Sequence, residues 1–245
     1  MSKKPYNPLM KIFFLGPDGT NSDLAARNIF KDGADYNPLP SIEDIFEKVA
    51  MSHSYYGVIP FENSYQGVIN SSLNCLIDYD LKILKEFNFS VSHNLCSMNK
   101  NCDLNAIKKI TSHPQVFGQC SNWMRNNIPN AEKIVATSTA EAASQAVENR
   151  DLFCIANSYA IKIFNLYTHL ENIQDSNDNK TRFLVIGKSI EEKSDQNKTS
   201  VMINIVDKPG SLMSILQPFT ELNINMTRIE TRPSRNNEYL HTFFI

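Results

Sequence analysis

Apolar and polar positions along this chain alternate in two distinct rhythms. Lys11–Leu15 is a short apolar run stopped by Gly16-Pro17, the pattern of a buried strand. From Thr20 to Phe30 the period is helical, with Leu24, Ala25 and Ile29 on one face. Ser41 is placed to cap a second helix, in which Ile42, Ile45, Phe46 and Val49 share a face. Tyr55–Phe61 reads as a second strand, followed by a helix carrying Val68, Ile69, Leu73, Leu76 and Ile77. Leu81–Cys96 is alternating and β-rich, one long strand or two shorter ones. Lys109–Thr111, Lys133–Ala136 and Leu152–Ile155 are further strand-like runs, each followed by a helical pattern. Strands alternating with helices predict α/β architecture with largely parallel sheets.

The rhythm changes after Ser189–Lys198, a polar and charged stretch that reads as a linker. Ser200–Val206 alternates, Pro209-Gly210 breaks it, and Leu212–Leu222 is helical. Asn225–Glu230 and Tyr239–Ile245 are two more expected strands. The order β-α-β-β is the first two-thirds of a ferredoxin-like βαββαβ module. On this reading the second helix and last strand are missing. No internal repeat is visible.

Composition narrows the function class. With 245 residues, 42% of them apolar and 20% charged, the chain fits an ordinary soluble protein of more than one domain. A net charge of −2 provides no basic field, so nucleic acid is not an expected partner. No apolar run is long enough to span a bilayer, and no membrane partner is expected. Met1-Ser2-Lys3-Lys4-Pro5 has cations with no apolar segment after it, so no signal peptide is expected and the location read is cytoplasmic. Five cysteines without a CxxC pair read as reduced thiols. Five dispersed histidines form no ligand cluster, so no metal is expected. Gly16-Pro17-Asp18-Gly19-Thr20 is not a phosphate-binding P-loop, since GxxxxGK[ST] is absent.

Six segments taken in order carry a more specific signal. They are Gly16-Pro17-Asp18-Gly19-Thr20, Pro60-Phe61-Glu62-Asn63-Ser64, Ser112-His113-Pro114-Gln115 running to Gln119-Cys120, Ser138-Thr139-Ala140-Glu141-Ala142-Ala143, Asn179-Lys180-Thr181-Arg182-Phe183, and Ile224 through Pro233. Together they resemble the prephenate dehydratase family, from Lys11 to Ile245, with the last block similar to the regulatory ACT module of those enzymes. The resemblance implies a catalytic domain over 10–188 built as two lobes around a cleft, like periplasmic binding proteins. Lobe 1 is expected at about 10–80 and 161–188, and lobe 2 at about 81–160. A linker at 189–198 and a partial ACT domain at 199–245 follow. The implied reaction is decarboxylating dehydration of prephenate to phenylpyruvate in phenylalanine biosynthesis. It needs no redox centre or electron sink, so no cofactor is expected. A homodimer or homotetramer is implied, with L-phenylalanine as effector of the intact form.

The resemblance makes Thr181 the catalytic candidate. A threonine hydroxyl donates a hydrogen bond but has little acidity, so its chemical reading is orientation of the leaving hydroxyl. Standing alone, Thr181 reads as an ordinary strand-entry threonine. Glu62 and Glu141 are the carboxyl candidates for the proton. Glu62 ends an apolar strand, where α/β ligands bind, and burial there raises a carboxyl pKa. Glu141 sits in the first turn of a helix capped by Ser138 or Thr139, where a capping-box glutamate is the alternative.

Asn63, Ser64, Ser112 and Gln119 match substrate-binding positions of the family, and Phe183 belongs with them through the Thr-Arg-Phe motif. Ser64 reads equally as an N-cap. Thr20 and Ser22 open a helix after a Gly-rich turn, which reads as a carboxylate cradle in the context of the other motifs and otherwise as a structural turn. Arg182 suits a carboxylate bidentately. Strand alternation sends neighbours to opposite faces, so a structural ion pair is its alternative. His113 reads as a helix-entry hydrogen-bonding residue, and Trp123 and Met124 as core.

In the regulatory part, Gly210-Ser211-Leu212-Met213 and Glu230-Thr231-Arg232-Pro233 are similar to the family's phenylalanine-binding motifs. The substitutions within them, together with Tyr239 and His241 where Trp and Tyr are usual, predict altered affinity. With few residues before Lys11, a fused helical chorismate mutase domain is not expected. Two other readings stay open: arogenate dehydratase, using the amino-acid form of the substrate, and a non-catalytic amino-acid-binding sensor.

Overall fold

A computed structural model describes residues 10–31, 33–189, 197–233 and 240–245. Most of the expected linker at 189–198 lies outside the described residues, as do Met1–Pro5 and Tyr239. The chain forms two compact units, 1–191 and 192–245.

In the first unit the chain runs β1 (Lys11–Leu15), α1 (Asn21–Phe30), β2 (Asp35–Leu39), α2 (Ile42–Ala50), β3 (Tyr55–Asn63), β4 (Gly67–Val68), α3 (Asn70–Asp78) and β5 (Lys82–Ser90). It continues through β6 (Asn94–Ser97), β7 (Lys109–Ser112), α4 (Pro114–Gln119), α5 (Ser121–Asn127), β8 (Glu132–Val135), α6 (Thr139–Glu148), β9 (Leu152–Ala156), α7 (Ser158–Ile163), β10 (Tyr167–Leu170) and β11 (Lys180–Gly187).

These strands form two sheets, one per lobe. The first has the order β2-β1-β3-β11-β5, with β4 on β3, and the second β10-β6-β9-β7-β8. Each sheet is mixed. β1 is parallel to β2 and β3, while β11 is antiparallel to both β3 and β5. In the second sheet β7 is parallel to β8 and β9, and β6 is antiparallel to β9 and β10. The largely parallel pairing expected from sequence is corrected here, because β5, β10 and β11 return against their neighbours without crossover helices.

Burial explains why the elements hold. In lobe 1, Ile12, Phe14, Val58, Phe183 and Val185 pack with Ala25 and Ala26 of α1. Ser41 caps α2 by accepting from the Asp44 N–H at 3.1 Å. Lobe 2 has two cores. Leu95, Ile110, Phe117, Met124 and Ile155 build one, and the alanine face of α6 against Cys96, Cys154 and Ala156 builds the other. All five cysteines are free thiols.

Two chain segments cross between the lobes, Val91–His93 and the stretch from Glu171 to Asn179. They are tied together by the Val91 N–H to the Asn179 carbonyl (2.9 Å) and the Ile173 N–H to the His93 carbonyl (2.8 Å). The expected lobe boundaries at 81 and 160 are therefore corrected. β5 pairs with β11 in lobe 1, and β10 pairs with β6 in lobe 2. The alternation of Leu81–Cys96 is continuous in sequence, but the chain changes sheets at Val91–His93.

The second unit comprises β12 (Met202–Val206), α8 (Ser211–Glu221), β13 (Glu230–Pro233) and β14 (Leu240–Phe244). Its sheet order is β12-β14-β13, with β14 antiparallel to both neighbours. This is a split βαβ arrangement with the third strand inserted between the first two. The strand expected at Asn225–Glu230 is corrected to Glu230–Pro233, the residues that find partners in β14. The earlier Ile-Asn-Met-Thr run has strand-like composition but no ladder.

Candidate active site

The lobes enclose a cleft cavity of about 270 Å³. Gly16 and Thr20 from the β1–α1 turn, Asn21 and Ser22 from the start of α1, Asn63 from β3 and Thr181 from β11 supply the lobe 1 wall. His113, Gln115 and Gln119 around α4, and Thr137, Ser138 and Thr139 at the start of α6, supply the lobe 2 wall. Val91, His93 and Asn179 come from the crossing segments. No Asp, Glu, Lys or Arg is among these lining residues. The cleft is polar and uncharged.

Two ten-residue helices, one from each lobe, begin at this cavity. Thr20 caps α1: its hydroxyl donates to the Leu15 carbonyl (3.0 Å) and accepts from the Asp23 N–H (3.3 Å). Ser138 caps α6 by accepting from the Glu141 N–H at 3.0 Å. The first N–H groups of a helix have no intrahelical acceptor and carry its positive dipole end, so each start can take an anion beside its own first-turn acid, Asp23 in α1 and Glu141 in α6. The turn before α1 is itself anchored. Buried Asp23 accepts from the Gly19 N–H (2.8 Å) and from Arg27 (2.7 Å). Asn157 of lobe 2 donates to the Gly19 carbonyl and the Asn21 side chain, both at 3.0 Å. Gly19 holds φ at +86° against Ala140 and Ala160, a backbone shape that glycine adopts without strain.

A triad of neutral side chains is hydrogen-bonded together in the cleft. The Asn63 amide nitrogen donates to the Thr181 hydroxyl and to the Asn179 side-chain oxygen, both at 3.0 Å. The Asn63 oxygen accepts from the Tyr65 and Gln66 N–H groups at 3.0 and 3.4 Å. Asn63 is thus saturated within the protein. The Thr181 oxygen is an acceptor towards Asn63, which leaves its proton to be donated elsewhere. The Asn179 amide nitrogen has no partner among the described residues.

On the opposite wall, His93 Nε2 lies 2.6 Å from the Gln119 side-chain oxygen. Burial lowers the His93 pKa, although the Gln119 hydrogen bond opposes the shift. His113 caps α4 by accepting from the Gln115 N–H at Nδ1 (3.2 Å), and burial lowers its pKa too. Burial thus favours the neutral form of both imidazoles.

A family model described as prephenate dehydratase matches residues 12–191. The chain belongs to the prephenate dehydratase family. It is 36% identical over 244 residues to the prephenate dehydratase of Methanocaldococcus jannaschii, covering 96% of this chain and 86% of that one. It is 34% identical over 236 residues to the bifunctional chorismate mutase/prephenate dehydratase of Pseudomonas aeruginosa, covering 96% of this chain. It spans 64% of that bifunctional relative's length. The crystal structure of the prephenate dehydratase from Staphylococcus aureus subsp. aureus Mu50 superposes with a TM-score of 0.81 at 30% identity, covering 96% of this chain and 88% of that one.

Only some residues of the family motifs reach the cleft. Thr20, Asn63, Gln119 and Thr181 line it. Glu62 does not. β3 and β11 pair Asn63 with Thr181 and Glu62 with Arg182, so alternation sends the second pair to the opposite face. There Arg182 lies 3.4 Å from Glu62 and 3.9 Å from Glu86. The expectations of a proton-donating Glu62 and a substrate-binding Arg182 are corrected to a structural ion pair.

Glu141 is corrected too. Its carboxylate accepts from the Thr137 hydroxyl and, at 2.6 Å, from the N–H of Thr137, the residue before the Ser138 N-cap, so it serves the helix start. These bonds lower its pKa, the reverse of what a general acid needs. Ser64 donates to the Asp178 and Lys180 carbonyls and accepts from the Lys180 N–H, stitching its loop to β11. Ser112 is fully buried and donates to the Ile155 carbonyl at 2.8 Å. Phe183 is a core residue edge-on to Phe89. None of these three lines the cleft. Conversely, His93 and Asn179 do line it, and neither has a role in the sequence-based assignment. Asn179 opens the Asn-Lys-Thr-Arg-Phe motif, so a signal for it is present in the sequence. His93 has none.

In the second unit a hollow of about 650 Å³ is lined by Gly210, Ser211, Leu212, Met213 and Thr231 among others. Glu230, Arg232 and Pro233 are not among its lining residues. Glu230 instead pairs with Arg228 at 3.1 Å.

Proposed function

We propose that the first unit converts prephenate to phenylpyruvate, carbon dioxide and water. The observation that carries this reading is the uncharged cleft between two helix N-termini, with the Thr181 hydroxyl oriented by Asn63. Prephenate has two carboxylates, and two helix starts supply two places for negative charge. A neutral donor set holds a carboxylate without fixing it in a strong ion pair, so the ring carboxylate is left free to depart as carbon dioxide. Its bonding electrons pass through the diene and expel the C4 hydroxyl as the ring aromatises. Thr181 donates to that oxygen as charge develops on it. No carboxylic acid lines the cleft, so the proton that turns the expelled hydroxide into water comes from solvent. In this reading Asn63 acts on Thr181, and Gln119 and the helix starts touch the substrate.

The test is ultraviolet detection of phenylpyruvate formed from prephenate by the purified protein. Failure to form it would favour the non-catalytic sensor.

The remaining assignments belong to the same proposal. Residues 10–188 are the catalytic domain and 199–245 an ACT-type regulatory module that takes L-phenylalanine in its hollow. Ser211 begins an 11-residue helix there, suited to a carboxylate, while Asp207 suits an ammonium and Leu212, Met213, Leu216 and Phe243 an aromatic ring. The protein acts in the cytoplasm as a dimer or tetramer. Among the described residues no helix is long and apolar enough to cross a membrane.

A further inference from the structure

We propose that His93 is a positioning residue of the cleft, holding the Gln119 carboxamide so that its amide nitrogen is offered to an anionic group of the bound molecule. The identity of that molecule, a cyclic dicarboxylate, rests on the dehydratase reading. The geometry of the pair does not.

Three observations converge. First, a carboxamide oxygen only accepts, so the contact between His93 Nε2 and Gln119 Oε1, at 2.6 Å, makes Nε2 the donor and leaves the lone pair on Nδ1. Second, that Nδ1 is buried with no hydrogen-bond partner, in a residue only 2% exposed. Buried acceptors without partners are uncommon and destabilising. An apolar ring could fill the space without that cost, so the feature to be explained is the Nε2–H bond. Third, with its oxygen engaged, the Gln119 amide nitrogen has no partner among the described residues, and the residue lines the cleft.

Both members of the pair are fixed to one backbone frame. The His93 N–H donates to the Gln174 side chain at 3.0 Å, and the His93 carbonyl accepts from the Ile173 N–H at 2.8 Å. The Gln119 carbonyl accepts from the Asp175 N–H at 2.7 Å. The Asp175 carboxylate in turn holds the start of α5 through the Asn122 and Trp123 N–H groups at 2.9 and 3.0 Å. The segment from Ile173 to Asp175 therefore grips both backbones. What remains to be ordered is the flexible Gln119 side chain, and the imidazole fixes it. Holding it in advance removes an ordering cost that binding would otherwise carry.

The test is a double-mutant cycle in prephenate turnover, with thermal melts of each variant and nitrogen NMR of His93. His93→Phe should raise KM by up to about tenfold, the scale of one lost hydrogen bond, with a smaller effect on kcat. His93→Gln, which can place a donor near the Nε2 position, should recover most of the loss. Gln119→Leu should lose as much, and the double variant should be little worse than Gln119→Leu alone. Losses that multiply, or an unchanged KM in a folded His93→Phe, would overturn the proposal. NMR of the unmodified protein should show the Nε2–H tautomer, with the Nε2 signal shifting in Gln119→Leu. An Nδ1–H tautomer would overturn the proposal whether or not the protein turns over prephenate. Should His93→Phe not fold, the tautomer and the His93→Gln variant decide. Wild-type protein that forms no phenylpyruvate but shows the Nε2–H tautomer refutes only the dehydratase reading.

Discussion

The Asn63 amide nitrogen lies 3.0 Å from the Thr181 hydroxyl oxygen, and that bond decides which way the threonine proton points. Thr181→Ala should lower kcat by about 10²–10³, the usual loss for a donor to developing negative charge. Asn63→Asp should cost a comparable factor. A carboxylate only accepts, so the Thr181 proton would turn towards position 63 and away from the cleft. Steady-state kinetics on both variants check this. Near-normal turnover in Thr181→Ala would remove threonine from the mechanism, and near-normal turnover in Asn63→Asp would remove the orientation argument.

Glu62 and Glu141 should prove structural. Glu62→Gln and Glu141→Gln are expected to keep kcat within about threefold, under about 0.7 kcal/mol in the barrier, with no limb of the pH–rate profile removed. Their effects belong to stability. Glu141 has a lowered folded-state pKa, because the Thr137 hydroxyl and N–H favour its charged form. Its contribution is therefore complete above the ordinary carboxylate pKa and disappears as pH falls through the lowered one. Acid titration monitored by circular dichroism should show Glu141→Gln destabilised by at most about 0.5 kcal/mol at neutral pH, the scale of a solvent-screened charge at a helix start. The difference from wild type should shrink in acid. Loss of a pH–rate limb in either variant would restore it as a proton donor.

Much of this geometry is legible in sequence, and the gaps have physical causes. Ser41 and the apolar face of α2 follow from local rules, and so does a helix-start role for Glu141. The split between Thr181 and Arg182 follows from strand alternation once β11 is regular. What stays hidden in the sequence is non-local. Glu62 and Arg182 become partners only when β3 and β11 are placed in register. β2, with its internal Pro38, is an edge strand without an apolar run. His93 sits at a change of sheet, where its environment is set by residues far away in sequence, Gln119 and Gln174. A motif names a position, whereas its face depends on pairing.

The cleft should prefer the keto substrate. Arogenate carries an ammonium where prephenate has a carbonyl, and no Asp or Glu is among the lining residues to receive it. Burying that cation without a counter-charge costs at least about 1.4 kcal/mol, so kcat/KM for prephenate should exceed that for arogenate by about tenfold or more. Parallel assays with the two substrates check the ratio. Equal or reversed preference would show that backbone carbonyls or water can stand in for the missing carboxylate.

The proposed effector site offers a separate test, in the hollow of the second unit. Asp207 lines it near His241, whose Nε2 lies 3.7 Å from the Asp207 carboxylate. If Asp207 receives the ammonium of phenylalanine, Asp207→Asn keeps the shape and removes the charge. Binding should weaken by about 10- to 100-fold, the scale of one charge-assisted hydrogen bond. Titration calorimetry on the whole chain measures this directly. Turnover without phenylalanine should be unchanged, because Asp207 does not line the catalytic cleft. Inhibition should move with affinity, since an effector can shift an equilibrium only through its differential binding. Unaltered binding in Asp207→Asn would place phenylalanine elsewhere. Absence of binding to the unmodified chain would refute the effector assignment itself, while leaving the catalytic prediction for Thr181 intact.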